Sequence, residues 1–279
     1  EITYGDWSSD VCSSDLDGTA IWCHNNWCFE DIPNWLAGRL DAQNIFDGGS
    51  HGGYADSFYH YLNAGLKVPF STGTDWFMDD FARVYAEVTG ELTPESWLVA
   101  LRAGRTFITN GPLLELTVNN ARIGDTLDLA QAGEVTITAS AIGRGDIETL
   151  EIIQNGVVVA SESSQPANGH FAATLRKPIN ISEPGWLAAR ITTANKNEYG
   201  RALFGHTSAV YVTIQGRSIR RGADVAWLRH EVESARAARD EIRQQLERAK
   251  QLRSTGNVTE ARLDQLEAQS RALEGRVQI

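Results

Sequence analysis

The sequence predicts a chain of mixed texture: α/β in its first part, all-β through the middle, and a helical hairpin at the end. Three observations carry this. Between Thr19 and Ser71, β-prone runs alternate with helix-like segments at about 24-residue spacing, the rhythm of strand–helix–strand units in a parallel sheet or barrel. From Leu113 to Gln215, short alternating runs recur with turn signals about every 10 to 20 residues, the pattern of an antiparallel β-sandwich. From Ala223 onward, apolar residues recur at helical spacing along two long polar segments.

Thr19-Ala-Ile-Trp-Cys23 is the first strand-like run and stops at His24-Asn25-Asn26. Pro33 opens a short helix over Asn34–Arg39, because its fixed φ suits a first helical turn. Asp41–Phe46 is the second run and stops at Asp47. Asp56–Ala64 puts Phe58, Tyr61 and Leu62 on one helical face, with Gly65 closing it. Val68–Ser71 is the third run, and Thr72-Gly-Thr74-Asp75-Trp76 follows it. Thr93 caps a further helix with Pro94 in its first position and Gly104 behind it. Thr106–Thr109 is a strand, and Asn110-Gly-Pro112 a turn.

Past Pro112 the runs alternate. Leu114–Val118 precedes an Asn119-Asn120 turn, and Val135–Ala141 follows. Leu150–Ile153 and Val157–Val159 flank Asn155-Gly156, a hairpin signal because the favoured tight turn needs positive φ at both central residues. His170–Leu175, Trp186–Thr192 and Ser208–Ile214 complete the set. Ala223–Arg253 reads as a helix with the stripe Leu228, Val232, Ala235, Ile242, Leu246 and Ala249. Asn257, with Glu260 three residues on, starts a second helix striped by Leu263, Leu266, Ser270, Leu273 and Val277. Two such helices form an antiparallel hairpin, whose expected role is packing or the self-association of copies into a homo-oligomer. The expected parts are a leader over 1–16, an α/β region over 17–112, a sandwich over 113–216 and a tail over 217–279.

The 279-residue chain carries 36 acidic against 25 basic residues, a net charge of -11. A nucleic-acid binder needs a basic face to neutralise phosphates, so that class of partner is not expected. No run of about 18 apolar residues occurs, and no transmembrane helix is expected. Cys12, Cys23 and Cys28 are too few and too irregular for a disulfide framework or a zinc ribbon. Gly5–Leu16 has neither helical nor strand period and resembles the translation of a sequencing-library adapter. Residues 1–16, Cys12 among them, are therefore expected to be a non-native leader standing in place of the domain's own front part. The compartment is left open between cytoplasmic and periplasmic or secreted.

The chemistry is expected where the strands end. In a parallel sheet all strand C-termini face one edge, so His24, Asp47 and Asp75 converge on one rim. Singly each has a plainer reading: a lone His is more often a structural hydrogen bonder, and a carboxylate past a strand often caps the next helix. Together, an imidazole and carboxylates make a workable set for Zn²⁺, Mn²⁺ or Fe²⁺, which lowers the pKa of bound water to about 7. Asn25, Glu30, His51 and Thr74 lie in the following loops, where orienting or proton-transfer groups would stand. Cys23 neighbours His24 on a strand and is expected on the opposite, core-facing side. His60 is expected to be structural, and His170, His206 and His230 lie far from this rim in sequence. The sandwich could instead be a carbohydrate- or protein-binding module with Trp186 and Tyr199 as stacking rings, although both are more simply core.

Several phrases together carry a resemblance: Trp22-Cys-His24-Asn-Asn, Glu30-Asp-Ile-Pro33, Asn44-Ile-Phe-Asp-Gly-Gly49, Tyr61-Leu-Asn-Ala-Gly-Leu-Lys-Val-Pro-Phe-Ser-Thr-Gly-Thr-Asp75-Trp76, Leu101–Leu114 and His206–Val212. The stretch from Gly18 to Gln215 resembles the polymerase and histidinol phosphatase (PHP) superfamily of metallohydrolases, in its CehA/McbA (carbaryl-hydrolase-like) branch. That resemblance implies the C-terminal part of a distorted (βα)7 barrel with one to three metals at the strand ends. It also implies metal-activated water hydrolysing small esters, carbamates or phosphoesters. His24 matches a middle His of the family's ligand set, and Asp75 the Asp of its late Asp-x-His. Two features depart: no early His-x-His is present, and Phe77 stands where the late His belongs. The expectation is therefore a metal-dependent hydrolase whose site is incomplete in this chain, which alone should be inactive. A non-catalytic sandwich binding module behind a degenerate PHP-like domain is the other expectation.

Overall fold

The computed structural model describes residues 18–23, 31–45, 58–74, 82–253 and 259–275. These fall into two compact units. One comprises 21–23, 41–45, 58–74 and 82–225; the other comprises 18–20, 31–40, 226–253 and 259–275. The chain is mixed α/β and mostly sheet.

The larger unit opens with β1 (Ile21–Trp22), β2 (Ala42–Asn44) and β3 (Phe70–Ser71), which form a parallel sheet in that order. The strand–helix rhythm of the sequence is thus real, although the described strands close no barrel. Helix α2 (Phe58–Asn63) buries Phe58, Tyr61 and Leu62, the face its 3–4 spacing marks out, and Tyr59 as well. Gly65 behind it has φ +95, and a Cβ there would come within 2.7 Å of the Ile219 carbonyl oxygen, so only glycine fits.

The outer edge of β3 is sealed by side chains. The Phe70 amide donates to Ser208 Oγ at 2.9 Å, while Thr106 Oγ1 donates to the Phe70 carbonyl at 2.7 Å. The two hydroxyls lie 2.8 Å apart. This seam ties the parallel sheet to the rest of the unit and pairs the Phe70 backbone on the side of β3 away from β2.

Next come β4 (Arg83–Ala86), α3 (Pro94–Arg102) and β5 (Thr106–Thr109). Thr93 caps α3 in a reciprocal capping box with Ser96, with Pro94 in the first turn. β4 carries no sequence signal beyond weak alternation, and its pairing with β5 across α3 makes it a strand.

The remaining strands are β6 (Leu113–Val118), β7 (Ala121–Arg122), β8 (Thr126–Leu129), β9 (Gly133–Gly143), β10 (Thr149–Gln154), β11 (Val157–Ser163), β12 (Gln165–Ala167), β13 (His170–Ile181), β14 (Gly185–Thr192), β15 (Gly205–Thr207) and β16 (Val210–Ile214). Asn155 (φ 52) and Gly156 (φ 89) form the tight turn of the β10–β11 hairpin. One sheet runs β12-β13-β9-β6-β7; the other runs β11-β10-β14-β15-β5-β4, with β16 on β14 and β8 on β16. They enclose one core, to which β6, β9 and β13 give Leu116, Ile137 and Leu175, and β10, β14 and β16 give Ile152, Leu187 and Val212. Pairing is antiparallel throughout except between β16 and β8. β4 and β5 precede Pro112 yet belong to the second of these sheets, so the antiparallel sheet begins upstream of residue 113.

The smaller unit is helical. α1 (Asp31–Leu36) starts earlier than Asn34, placing Pro33 at its third position, and buries Ile32 and Trp35. Of α4 (Gly222–Arg253) and α5 (Glu260–Gly275), Leu246 and Ala249 pack on Leu263 and Leu266. Arg253 reaches Glu260 at 3.0 Å and Lys250 reaches Glu267 at 3.8 Å, the pairing of an antiparallel hairpin. The Thr259 hydroxyl accepts the Arg262 amide at 3.4 Å, so the cap falls two residues after Asn257, which lies outside the described residues.

Candidate functional site

β1, β2 and β3 point their C-termini to one edge of the sheet. Along the chain, His24 follows the last residue of β1, Trp22; Asp47 follows that of β2, Asn44; Asp75 follows that of β3, Ser71. His24, Asn25, Glu30, Asp47, His51, Asp75 and Phe77 themselves lie outside the described residues. Thr74 is described and is half-buried.

The strand ends that carry these loops are fixed by local bonds. Thr72 Oγ1 donates to the Ile45 carbonyl at 2.5 Å, and the Ile45 amide donates to the Ser71 carbonyl at 2.8 Å, locking the ends of β2 and β3 together. Asn44 Nδ2 donates to Cys23 Sγ at 3.7 Å. Cys23 is exposed, against the core position expected of it. The reason is that β1 ends at Trp22, so strand alternation does not extend to Cys23. No group of three or more His, Cys, Asp and Glu able to hold a metal occurs among the described residues.

His206, far from the rim in sequence, comes against the parallel sheet: its ring centroid is 5.1 Å from that of Phe70 in β3. Strand register sets Glu151, Arg190 and His206 side by side across β10, β14 and β15. His206 Nδ1 lies 2.7 Å from the Thr207 carbonyl, which can only accept, so Nδ1 carries the proton. Nε2 therefore accepts the Tyr59 hydroxyl at 2.9 Å. Arg190 Nη1 donates to the Tyr59 oxygen at 3.3 Å, and Arg190 Nε to Glu151 Oε2 at 2.7 Å. Burial, with the Arg190 charge adding to it, pushes the His206 pKa down to about 3; burial pushes that of Tyr59 up to about 12. Near neutral pH neither group exchanges a proton. A general base needs a pKa near the working pH and access to substrate, and fully buried His206 has neither. The network braces α2 against the sheet. His60 is structural in the same way, with Nδ1 at 2.6 Å from Asp224 Oδ1 in the first turn of α4.

The two expected stacking rings part company. Trp186 is fully buried and its indole N–H donates to Asn63 Oδ1 at 2.8 Å, so it is core. Tyr199 is 48% exposed and lines a cleft of about 660 Å³ at the end of the antiparallel unit. No protein-family model matches the chain, and no curated protein matches it.

Proposed function

We propose that the chain carries part of the metal site of a metal-dependent hydrolase of the PHP type, CehA/McbA branch. Its substrates are small molecules with ester, carbamate or phosphoester bonds. The observation that supports this best is the parallel order β1-β2-β3, which brings the strand ends preceding His24, Asp47 and Asp75 to one edge. One imidazole and two carboxylates suit a borderline divalent cation such as Zn²⁺, Mn²⁺ or Fe²⁺ by their chemistry. When bound, such a cation supplies an activated water.

The chain's own residues then have separate tasks. His24 and Asp75 hold the cation, with Asp47 as a third donor. Asn25 and Thr74 orient these groups, while Glu30 and His51 take or return the proton. Phe77 offers no donor where the resemblance calls for a His, so this donor set binds weakly and the chain alone turns over no substrate. Copies of the chain associate, in this reading, through the tail helices.

Incubation with Mn²⁺ or Zn²⁺ and 4-nitrophenyl acetate or bis(4-nitrophenyl) phosphate tests this. Wild type is expected to add nothing to the rate given by the metal alone. In titration with Zn²⁺, Phe77→His is expected to bind more tightly than wild type, and adding His24→Ala is expected to remove that gain. Wild-type turnover lost in His24→Ala would contradict the inactivity; Phe77→His binding no more tightly than wild type would contradict the site. The second reading, a binding module with no metal chemistry, draws on the cleft beside Tyr199, and a ligand held there should be indifferent to chelation.

A further inference from the structure

The sequence holds three Asn-Gly pairs: Asn110-Gly111, Asn155-Gly156 and Asn168-Gly169. Such a pair is chemically labile. The glycine amide nitrogen can attack the carbonyl carbon of the Asn side chain, because glycine has no Cβ to hinder the approach. Whether a given pair reacts depends on whether the fold lets that side chain and that amide meet.

Two of the pairs are held apart. Asn110 is buried; its Nδ2 donates to the Ala202 carbonyl and its Oδ1 accepts the Phe204 amide, each at 2.8 Å. The attacking group is engaged as well, since the Gly111 amide donates to Thr109 Oγ1 at 2.9 Å. Asn155 is also buried, and its Oδ1 accepts the Trp186 amide at 2.8 Å. Reaction at either pair requires the surrounding core to open.

Asn168 (φ 50) and Gly169 (φ 85) form the tight turn between β12 and β13. Their φ values nearly repeat those of Asn155 and Gly156, so the shape of the turn does not separate these two pairs. Burial and partners do. Asn168 and Gly169 are both exposed, and the Asn168 side chain and the Gly169 amide make no hydrogen bond among the described residues. A Cβ built on Gly169 would meet nothing within 4 Å, so a ring has room to close there. β12 is a three-residue strand at the end of its sheet, and its central Pro166 has no amide to give the ladder. A hairpin end of this kind opens locally at low cost.

We propose that Asn168 is a site of spontaneous deamidation. The Gly169 nitrogen, its proton taken by hydroxide, bonds to Asn168 Cγ. The Cγ–Nδ2 bond breaks, the side-chain nitrogen leaves as ammonia, and a succinimide ring remains. Water then opens the ring at either carbonyl and leaves isoaspartate or aspartate in place of Asn168. Both products add a negative charge. Isoaspartate also lengthens the backbone of a two-residue turn, which loosens β12 from β13 and leaves the β13–β9 ladder in place. The reading uses no residue of the metal site.

Ageing the full chain in mildly alkaline buffer, with and without guanidinium chloride, followed by peptide mapping with mass spectrometry, tests it. In the folded chain the Asn168 peptide is expected to convert at least about tenfold faster than those holding Asn110 and Asn155, with both isoaspartate and aspartate formed. In denaturant the three rates should converge. Hydrogen exchange in the aged chain should quicken over residues 165–172 and stay unchanged over β9. The proposal is overturned if Asn168 converts no faster than the other two in the folded chain, or if its lead persists in denaturant. Unchanged exchange over the hairpin would overturn the loosening of β12.

Discussion

His206 shows what burial does to a titratable group. Its folded pKa of about 3 lies below the ordinary 6.5, so between those values the unfolded chain binds a proton that the folded chain refuses. Stability from this group is complete above pH 6.5 and drains away as the pH falls toward 3, at up to about 1.4 kcal/mol per pH unit. Urea unfolding of wild type and His206→Gln at a series of pH values between these limits should show a steeper fall for wild type. Equal slopes would mean that His206 is not held neutral by the fold. None of this was legible in the sequence. A His in a β-prone run looks the same whether it faces solvent or Tyr59, and that partner lies 147 residues away.

At the scale of elements, local chemistry was readable and pairing was not. Thr93 and Pro94 announced α3, and Asn155-Gly156 announced its hairpin, because caps and tight turns are set by residues within a few positions. β4 is not legible in the sequence because Arg83–Ala86 gains its strand character from β5, across an intervening helix. The seam on β3 is hidden for the same reason: Thr106 and Ser208 carry no local signal until Phe70 lies between them and the rest of its sheet. Thr106→Val leaves the buried Phe70 carbonyl without that donor and should cost about 1–3 kcal/mol. Adding Ser208→Ala should cost less than the sum of the two single changes, since both hydroxyls serve one residue. Guanidinium unfolding of the two single variants and the double variant measures this, and strict additivity would show that the hydroxyls act separately.

For the whole molecule, the order of parts is legible in the sequence: parallel strands with helices, then antiparallel sheets over one core, then a helical hairpin. The division between the first two parts was less legible, because Pro112 marks a change of texture while β4 and β5 already belong to the later sheet. The candidate metal site was legible only as sequence positions after three strand ends, and the parallel order of those strands is the part that the fold supplies. No helix among the described residues is long and apolar enough to cross a membrane. The central proposal is that His24 and Asp75 donate to one divalent cation, and calorimetric titration of Zn²⁺ into the metal-free chain tests it most directly. The expected result is one weak site in wild type, weakened at least about tenfold by His24→Ala and likewise by Asp75→Asn. Isotherms that coincide for wild type and both variants would contradict it.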